Sequence, residues 1–185
     1  MAMRCTVNPS RRRFALGLCC AVVASVTLAQ VPTLSAPNVV PIHARLVTSG
    51  QPTSASLAGA AAMGFEAVIY LAPPTVPDAV RDEGAILQRQ GIEFVNIPIA
   101  FDNPTAADVD AFFRAMGRLR ERKVLVHCQV NMRATSLVFL YRVIVLKEAP
   151  DAAYEAVSRV WSPRGPWKRL ILDQLRANQI AFDPY

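Results

Sequence analysis

A cysteine followed at short spacing by an arginine is the most reactive pattern in this chain. Cys128 comes directly after an apolar stretch at residues 124–127, and Arg133 opens a second apolar stretch. The pattern predicts a strand, a tight turn and a helix, with the cysteine in the turn. Free backbone N–H groups, the helix N-terminus and the guanidinium all favour a bound anion. They also favour the thiolate, so Cys128 is a candidate nucleophile.

The predicted turn would surround an oxyanion such as a phosphate ester. Its N–H groups and the Arg133 fork would bind the non-bridging oxygens, with the Cys128 sulfur in line behind the phosphorus. A phosphocysteine intermediate would follow. The alternative is a buried and inert cysteine. The residues expected to contact the bound group are Gln129, Val130, Asn131, Met132, Arg133 and Thr135.

Supporting roles are expected for several other polar residues. His127 would lie under the turn and organise it by hydrogen bonding, and Thr135 or Ser136 could donate to the sulfur. A leaving alcohol needs a proton, and Asp102, in a loop after a different strand, is the predicted general acid. An ordinary turn aspartate is the alternative for Asp102, because Asp is common in turns.

Strands alternate with helices along the chain, which predicts a single α/β domain with a mainly parallel central sheet flanked by helices. Catalytic loops of such sheets lie at the carboxyl ends of the strands. Thr105 and Asp108 have the spacing of a capping box. The helix beginning at Arg133 is apolar on nearly every face, so we expect it to be central and buried. Predicted strands are 44–48, 65–71, 93–97 and 124–127, and predicted helices are 55–63, 76–90, 106–120, 133–147, 151–161 and 167–177.

The N-terminal segment has the features of an export signal. Three arginines at residues 11–13 precede an apolar run over residues 14–28, which predicts a twin-arginine-like signal over residues 1–29. A linker over residues 30–43 and one domain over residues 44–185 would then form the exported protein, located in the periplasm without a stable membrane anchor. The alternative is an anchor that is retained.

Removing this leader changes the charge and the cysteine content. It holds four of the 20 Lys and Arg residues and none of the acidic ones, so the remainder is only weakly basic and no nucleic acid partner is indicated. Three of the four cysteines leave with it, so Cys128 remains alone and no internal disulfide is possible. No spacing typical of metal ligands is visible, and no metal or other cofactor is expected.

His127 and Cys128 followed by Arg133 resemble the signature loop of the cysteine-dependent protein tyrosine and dual-specificity phosphatases. Further segments extend the resemblance to the bacterial subgroup related to the phosphatase-like domain of beta-lactamase-hydrolase-like proteins. The resemblance implies a protein-tyrosine-phosphatase-like fold and a metal-independent phosphatase. Its partner would be a phosphorylated protein, for example at phosphotyrosine, or a small phosphomonoester. The extending segments are residues 49–53, 67–71, 96–98 and 104–105.

The cysteine loop departs from the usual phosphatase pattern in length. Four residues separate Cys128 from Arg133 where five are usual, and Asn131 is expected to take the left-handed conformation in place of a glycine. Rhodanese-like sulfurtransferases have a similarly small loop and carry a persulfide on the cysteine, so sulfur transfer is the first alternative function. An inactive oxyanion-binding module is the second. Sulfur transfer requires neither His127 nor Asp102, so their presence favours the phosphatase.

Three other features have two interpretations each. The basic run at residues 118–123 could steer anions to the loop, or it could be a solvated helix end. Trp161 and Trp167 could form an aromatic rim for a substrate, or they could anchor the last helices on the core. His43 has no partner visible in the sequence and is expected at the surface.

Overall fold

The computed structural model describes residues 1–2 and 32–185. The predicted export signal falls almost entirely outside the described residues and stays a prediction. Among the helices of the described part, none combines the length and the apolar character needed to cross a membrane.

A five-stranded sheet forms the centre of the described residues, with the strand order β1-β2-β5-β3-β4. The four strands β2 to β5 are parallel, and β1 is antiparallel to β2. This arrangement confirms the α/β domain with a mainly parallel sheet. The strands are β1 Val40–His43, β2 Leu46–Ser49, β3 Ala67–Tyr70, β4 Glu93–Asn96 and β5 Val124–His127.

Helices cover both faces of the sheet, as the alternation of side chains along β5 shows. Val124 and Val126 pack into one apolar cluster with α3, α4 and α6, whereas Leu125 packs into a second cluster with α1 and α2. Every residue of α4 except Met132 and Arg142 is buried, which confirms the predicted central helix. The helices are α1 Ser54–Ala58, α2 Glu83–Gln88, α3 Ala106–Arg118, α4 Met132–Ile144, α5 Pro150–Ser158 and α6 Gly165–Ala177.

The structure corrects the predicted linker over residues 30–43. Residues 40–43 form β1, which pairs with β2 through Val40 and Thr48. Ser35, which lies upstream of β1, accepts the backbone N–H of Thr53, so this part of the segment also contacts the domain. Val40 and Ile42 supply the apolar side chains of a short edge strand. The strand was not predicted, because prolines in this stretch argue against a strand assignment.

Two predicted helices are shorter than expected, and one helix cap is confirmed. The predicted helix 76–90 is helical only as α2, because prolines at 73, 74 and 77 hold the preceding segment in turns. The predicted helix 55–63 ends earlier, at Ala58 of α1, and Thr53 caps its start by accepting from the Ser56 N–H. The Thr105 and Asp108 capping box of α3 forms as predicted, with a 2.8 Å bond from the Thr105 N–H to Asp108 Oδ2.

Candidate active site

Strand β5 delivers Cys128 to the carboxyl edge of the sheet, between two neighbouring strand ends. Ser49 of β2 and Tyr70 of β3 are the register partners of His127, the residue before the cysteine. The Cys128 backbone N–H donates to Ser49 O at 3.2 Å. The side chain of Cys128 is fully buried, so the sulfur lies at the base of the loop.

The loop after Cys128 is bonded to the segment around Gly50 and to the side chain of Asn38. The Gln51 N–H donates to Gln129 O at 3.0 Å, and Asn38 Nδ2 donates to Val130 O at 3.0 Å. A Cβ at position 50 would lie only 2.7 Å from Gln129 O, so the close approach of the two chains requires glycine. The predicted loop residues are therefore held on the side that faces β2.

Asn131 adopts the left-handed conformation that the sequence predicted, with a φ of 71°. Its side chain is buried, and its Nδ2 donates to Asn38 O at 2.5 Å and to Thr48 Oγ1 at 3.0 Å. The first helical bond of α4 runs from the Thr135 N–H to Asn131 O at 3.0 Å. The N–H groups of residues 132–134 therefore have no partner within the helix and can contribute partial positive charge to the loop.

We expect Asn131→Ala to destabilise the protein more than Asn131→Gly. Alanine pays the steric cost of the left-handed region and loses both amide hydrogen bonds, for a total of about 2–4 kcal/mol. Glycine loses the bonds but tolerates the backbone, so about 1–2 kcal/mol should be lost. Urea unfolding of the three proteins measures the difference. Equal losses for the two variants would contradict a role for the backbone conformation.

Arg133 is held at the site by two different loops. The side chain is 4 % exposed. Its Nε donates to Ile99 O at 3.1 Å and its Nη1 to Gln129 Oε1 at 3.4 Å. The guanidinium carbon lies 5.0 Å from the centre of the Phe101 ring. The loop after β4 therefore fixes the arginine of the loop after β5.

The loop that contains Asp102 is anchored by the tryptophans near the C-terminus. Trp167 is buried and its Nε1 donates to Phe101 O at 2.8 Å, while Trp161 packs on the Phe101 ring with centroids 5.8 Å apart. The anchoring interpretation of Trp167 is thus confirmed. Asp102 itself is exposed, and its carboxylate has no hydrogen bond among the described residues. The structure brings its loop to Arg133, and the acid role of Asp102 stays a prediction.

Two of the predicted supporting contacts are not observed in the described residues. Thr135 Oγ1 donates to Asn131 O at 2.9 Å and Ser136 Oγ to Met132 O at 2.9 Å, so neither hydroxyl donates to the sulfur. Hydroxyls inside a helix commonly bond to carbonyls of the preceding turn. His127 likewise bonds to no residue of the loop. Its Nε2 lies 2.6 Å from Glu83 Oε1, and its Nδ1 is buried without a partner.

Asp78 is a polar residue of the site that sequence reasoning missed. The Gln129 side chain donates from Nε2 to Asp78 Oδ1 at 2.9 Å and accepts from Arg133 on its Oε1. Asp78 lies among the prolines that follow β3, where the sequence indicated only the start of a helix. Its position after the carboxyl end of β3, where the sites of such sheets lie, could have indicated its place in the site.

Glu83, Gln51 and Tyr70 form a buried group behind the cysteine loop that was also missed. Glu83 Oε2 accepts from Gln51 Nε2 at 3.0 Å, and the Tyr70 ring stacks on His127 with centroids 4.7 Å apart. Burial raises the pKa of Tyr70 to about 12, and the carboxylates of Glu83 and Asp78 act in the same direction. Tyr70 is therefore a neutral phenol at physiological pH.

The basic run and His43 lie away from the cysteine loop. Arg118 and Arg122 both contact Glu93, and Arg120 contacts Glu121. The run ends where β5 begins, so the length of a four-residue strand, about 13 Å, separates it from Cys128. Arg118, Arg120 and Arg122 are exposed, as expected for a solvated helix end, and a steering role stays a prediction. His43 is exposed, as predicted.

The fold and the loop define a class of protein. A buried cysteine between a parallel strand and a buried helix, with an arginine fixed on the same loop, is the arrangement of protein-tyrosine-phosphatase-like and dual-specificity phosphatases. The family model described as DSP-PTPase phosphatase fused to NAD+ kinase matches residues 28–165. The chain belongs to this family.

Relatives with known sequences and structures agree with this assignment. A beta-lactamase hydrolase-like protein of Xylella fastidiosa is 34 % identical over 111 residues, which cover 58 % of this chain and 25 % of that protein. The chain thus spans about a quarter of the length of this curated relative. A Shewanella putrefaciens CN-32 protein assigned as a DUF442 phosphatase is 27 % identical with a TM-score of 0.71, covering 77 % of this chain and 94 % of that one.

Two more distant structures share the fold. TpbA of P. aeruginosa, solved with pTyr, has a TM-score of 0.55 at 20 % identity and covers 77 % of this chain and 80 % of that one. The catalytic core of a PP-IP phosphatase of S. cerevisiae has a TM-score of 0.62 at 14 % identity, covering 76 % and 87 %. At these identities the likeness is one of fold.

Proposed function

We propose that the protein is a metal-independent phosphatase that hydrolyses phosphate monoesters through a phosphocysteine intermediate. The observation that carries the proposal is the cysteine loop itself. Cys128 lies at its base, and Arg133 on the same loop is fixed by Ile99 O and by the Gln129 side chain. A nucleophile and a guanidinium that can donate two parallel N–H bonds, held in one short loop, suit attack on a phosphoryl group.

In the first proposed step, the Cys128 thiolate attacks phosphorus and forms the S–P bond. The P–O bond to the leaving group breaks, and Asp102 gives its proton to the departing oxygen. Arg133 and the free N–H groups at the start of α4 stabilise the charge on the three non-bridging oxygens. Tyr70 stays uncharged and adds no negative charge near the bound dianion.

In the second proposed step, water attacks the phosphocysteine. The S–P bond breaks, the sulfur leaves as the thiolate, and Asp102 takes the proton from the attacking water. Inorganic phosphate and the original protein result, so no other reactant is consumed. A phosphoryl group bound by Arg133 would compete with the Gln129 side chain, which now bridges Asp78 and Arg133.

The substrate class proposed here follows from the charge that the loop can bind. Phosphatases of this fold include TpbA, solved with pTyr, and a PP-IP phosphatase. Both kinds of compound present phosphate groups with several anionic oxygens. We therefore assign a phosphorylated protein or a small phosphomonoester as substrate of this chain.

Rhodanese-like sulfur transfer is the second candidate, because four residues separate Cys128 from Arg133. A paired assay separates the two functions. The protein beginning at residue 30, after the predicted signal, should hydrolyse an aryl phosphate with EDTA present and should not convert thiosulfate and cyanide to thiocyanate. Thiocyanate formation without phosphatase turnover would replace the phosphatase by the sulfurtransferase. Oxyanion binding without either activity would indicate the inactive module.

The role of Asp102 predicts a dependence on the leaving group. Asp102→Asn should lower kcat/KM for an alkyl phosphate by about 10²–10⁴-fold, because a poor leaving group needs the proton. For a nitrophenyl phosphate the loss of kcat/KM should be less than about tenfold, because that leaving group departs as the anion and kcat/KM does not include the later hydrolysis of the phosphocysteine. Steady-state kinetics with both esters measure the difference.

Asp78→Asn is the matched control for Asp102. Asp78 is also an exposed carboxylate next to the loop, but it bonds to Gln129. We expect Asp78→Asn to slow both esters by a similar factor. If the leaving-group dependence instead follows Asp78, the acid role belongs to Asp78 and the assignment of Asp102 is wrong.

A further inference from the structure

Glu83 is a buried carboxylate that the proposed reaction does not use. It is 3 % exposed and begins the short helix α2, where a glutamate is ordinarily solvated. Its Oε1 lies 2.6 Å from His127 Nε2, and its Oε2 accepts from Gln51 Nε2 at 3.0 Å. Burying an ionisable group is costly unless it is well partnered, and apolar residues can fill such a site with equal or greater stability. Stability alone therefore gives a weak reason for this glutamate.

Both partners of Glu83 are joined through the main chain to the base of the cysteine loop. His127 is covalently linked to Cys128, and the Gln51 N–H donates to Gln129 O at 3.0 Å. The carboxylate thus connects the residue before the cysteine with the segment that holds the residue after it. The stacked Tyr70 ring covers His127 and limits its rotation.

We propose that Glu83 is a positioning residue for Cys128, acting through His127 and Gln51. By accepting one bond from each, the carboxylate holds the backbone on both sides of Cys128 in the curvature that aims the sulfur into the loop. This inference rests on the proposed phosphatase reaction for its effect on turnover. The buried geometry predicts that Glu83 affects the chemical step more than the binding of substrate, since its side chain lies behind the loop and contacts neither Arg133 nor, among the described residues, the free N–H groups.

Two substitutions separate positioning from simple packing. Glu83→Gln keeps the size of the side chain but can accept only one of the two bonds, and Glu83→Leu removes both. We expect kcat for an aryl phosphate to fall about tenfold in the first and about 100-fold in the second, because small misplacements of reacting groups have effects of this order. KM should stay within about twofold. The control is Glu148→Gln, which removes the charge from an equally short contact to Arg142 in the last turn of α4, and should leave kcat unchanged.

The rate at which iodoacetamide alkylates Cys128 gives a second readout that does not need phosphatase turnover. Only the positioned thiolate reacts quickly, so Glu83→Gln should slow alkylation at neutral pH several-fold, and Glu148→Gln should not. If Glu83→Leu fails to fold, the isosteric Gln variant decides. Unchanged kcat and unchanged alkylation in Glu83→Gln, with only a lower Tm, would show a structural role and overturn the proposal. If the wild type lacks phosphatase activity but alkylation still slows in Glu83→Gln, the proposed function fails and the positioning role stands.

Discussion

Replacing Cys128 with serine should abolish hydrolysis of an aryl phosphate while leaving the protein folded. The serine hydroxyl is a far weaker nucleophile than a thiolate, and no base is bonded to position 128 among the described residues, so a loss on the order of 10⁴-fold or more is expected. Steady-state kinetics with a thermal unfolding control make the measurement. Inorganic phosphate should still bind, because Arg133 and the α4 N-terminus are unchanged.

Measuring phosphate binding as well as turnover separates the loss of the nucleophile from the loss of the anion site. A Cys128→Ser protein that retains more than about a tenth of the wild-type kcat would place the nucleophile elsewhere, since removing a covalent nucleophile costs far more than that. If phosphate binding is lost together with turnover, the loop has collapsed in the serine variant, and the loss of turnover then reflects the changed loop structure instead of the missing nucleophile.

Arg133→Lys should lower kcat/KM by about 10²–10³-fold. An ammonium cannot supply the planar pair of N–H groups that a phosphoryl group binds, and it lacks the two separate nitrogens with which Arg133 contacts Ile99 O and Gln129. Because the charge is kept, a loss of this size would arise from geometry. Kinetics at saturating and limiting substrate show whether the effect falls on kcat, as expected for a transition-state contact.

Arg142→Lys provides a matched control for Arg133→Lys. Arg142 is the other arginine of α4 and is partly buried. Its Nε and Nη2 donate to Glu148 Oε2 at 2.9 Å and 2.6 Å. It lies in the last turn of the helix, away from the loop. We expect a modest loss of stability and unchanged kcat. An equal loss of kcat in both variants would remove the specific role of Arg133.

Local patterns in the sequence predicted the fold because each depended on neighbouring residues. The apolar strands, the apolar α4, the Thr105 capping box and the left-handed Asn131 are all visible within a few positions of the chain. Strand β1 was missed because it contains a proline and needs β2 as a partner. Its apolar residues are too few to show a period.

The site was only half predictable, because its other half consists of contacts between distant segments. Cys128, Arg133 and the intervening residues are contiguous, so their chemistry could be inferred from spacing. Glu83 lies 44 positions from His127, in a charged stretch that looks like a solvated helix start, and nothing near it indicates burial. Trp167 holds the Phe101 carbonyl from 66 positions away in the same manner. Such pairs become visible only when the sheet order is known.

The short loop is accommodated by its surroundings. With four residues between cysteine and arginine, the loop bonds to Gly50 and its neighbours and turns into α4 through the positive φ of Asn131. A Cβ at position 50 would lie 2.7 Å from Gln129 O, so the segment after β2 fits closely against the four-residue loop.

The covalent intermediate on Cys128 tests the central claim most directly. Wild-type protein mixed with an aryl phosphate, quenched in acid within the first turnover and digested, should yield the peptide containing Cys128 with the added mass of one phosphoryl group. The Cys128→Ser protein should yield only the unmodified peptide. A Cys128 peptide that never gains a phosphoryl group, but gains one sulfur atom after incubation with thiosulfate, would contradict the phosphatase and establish sulfur transfer.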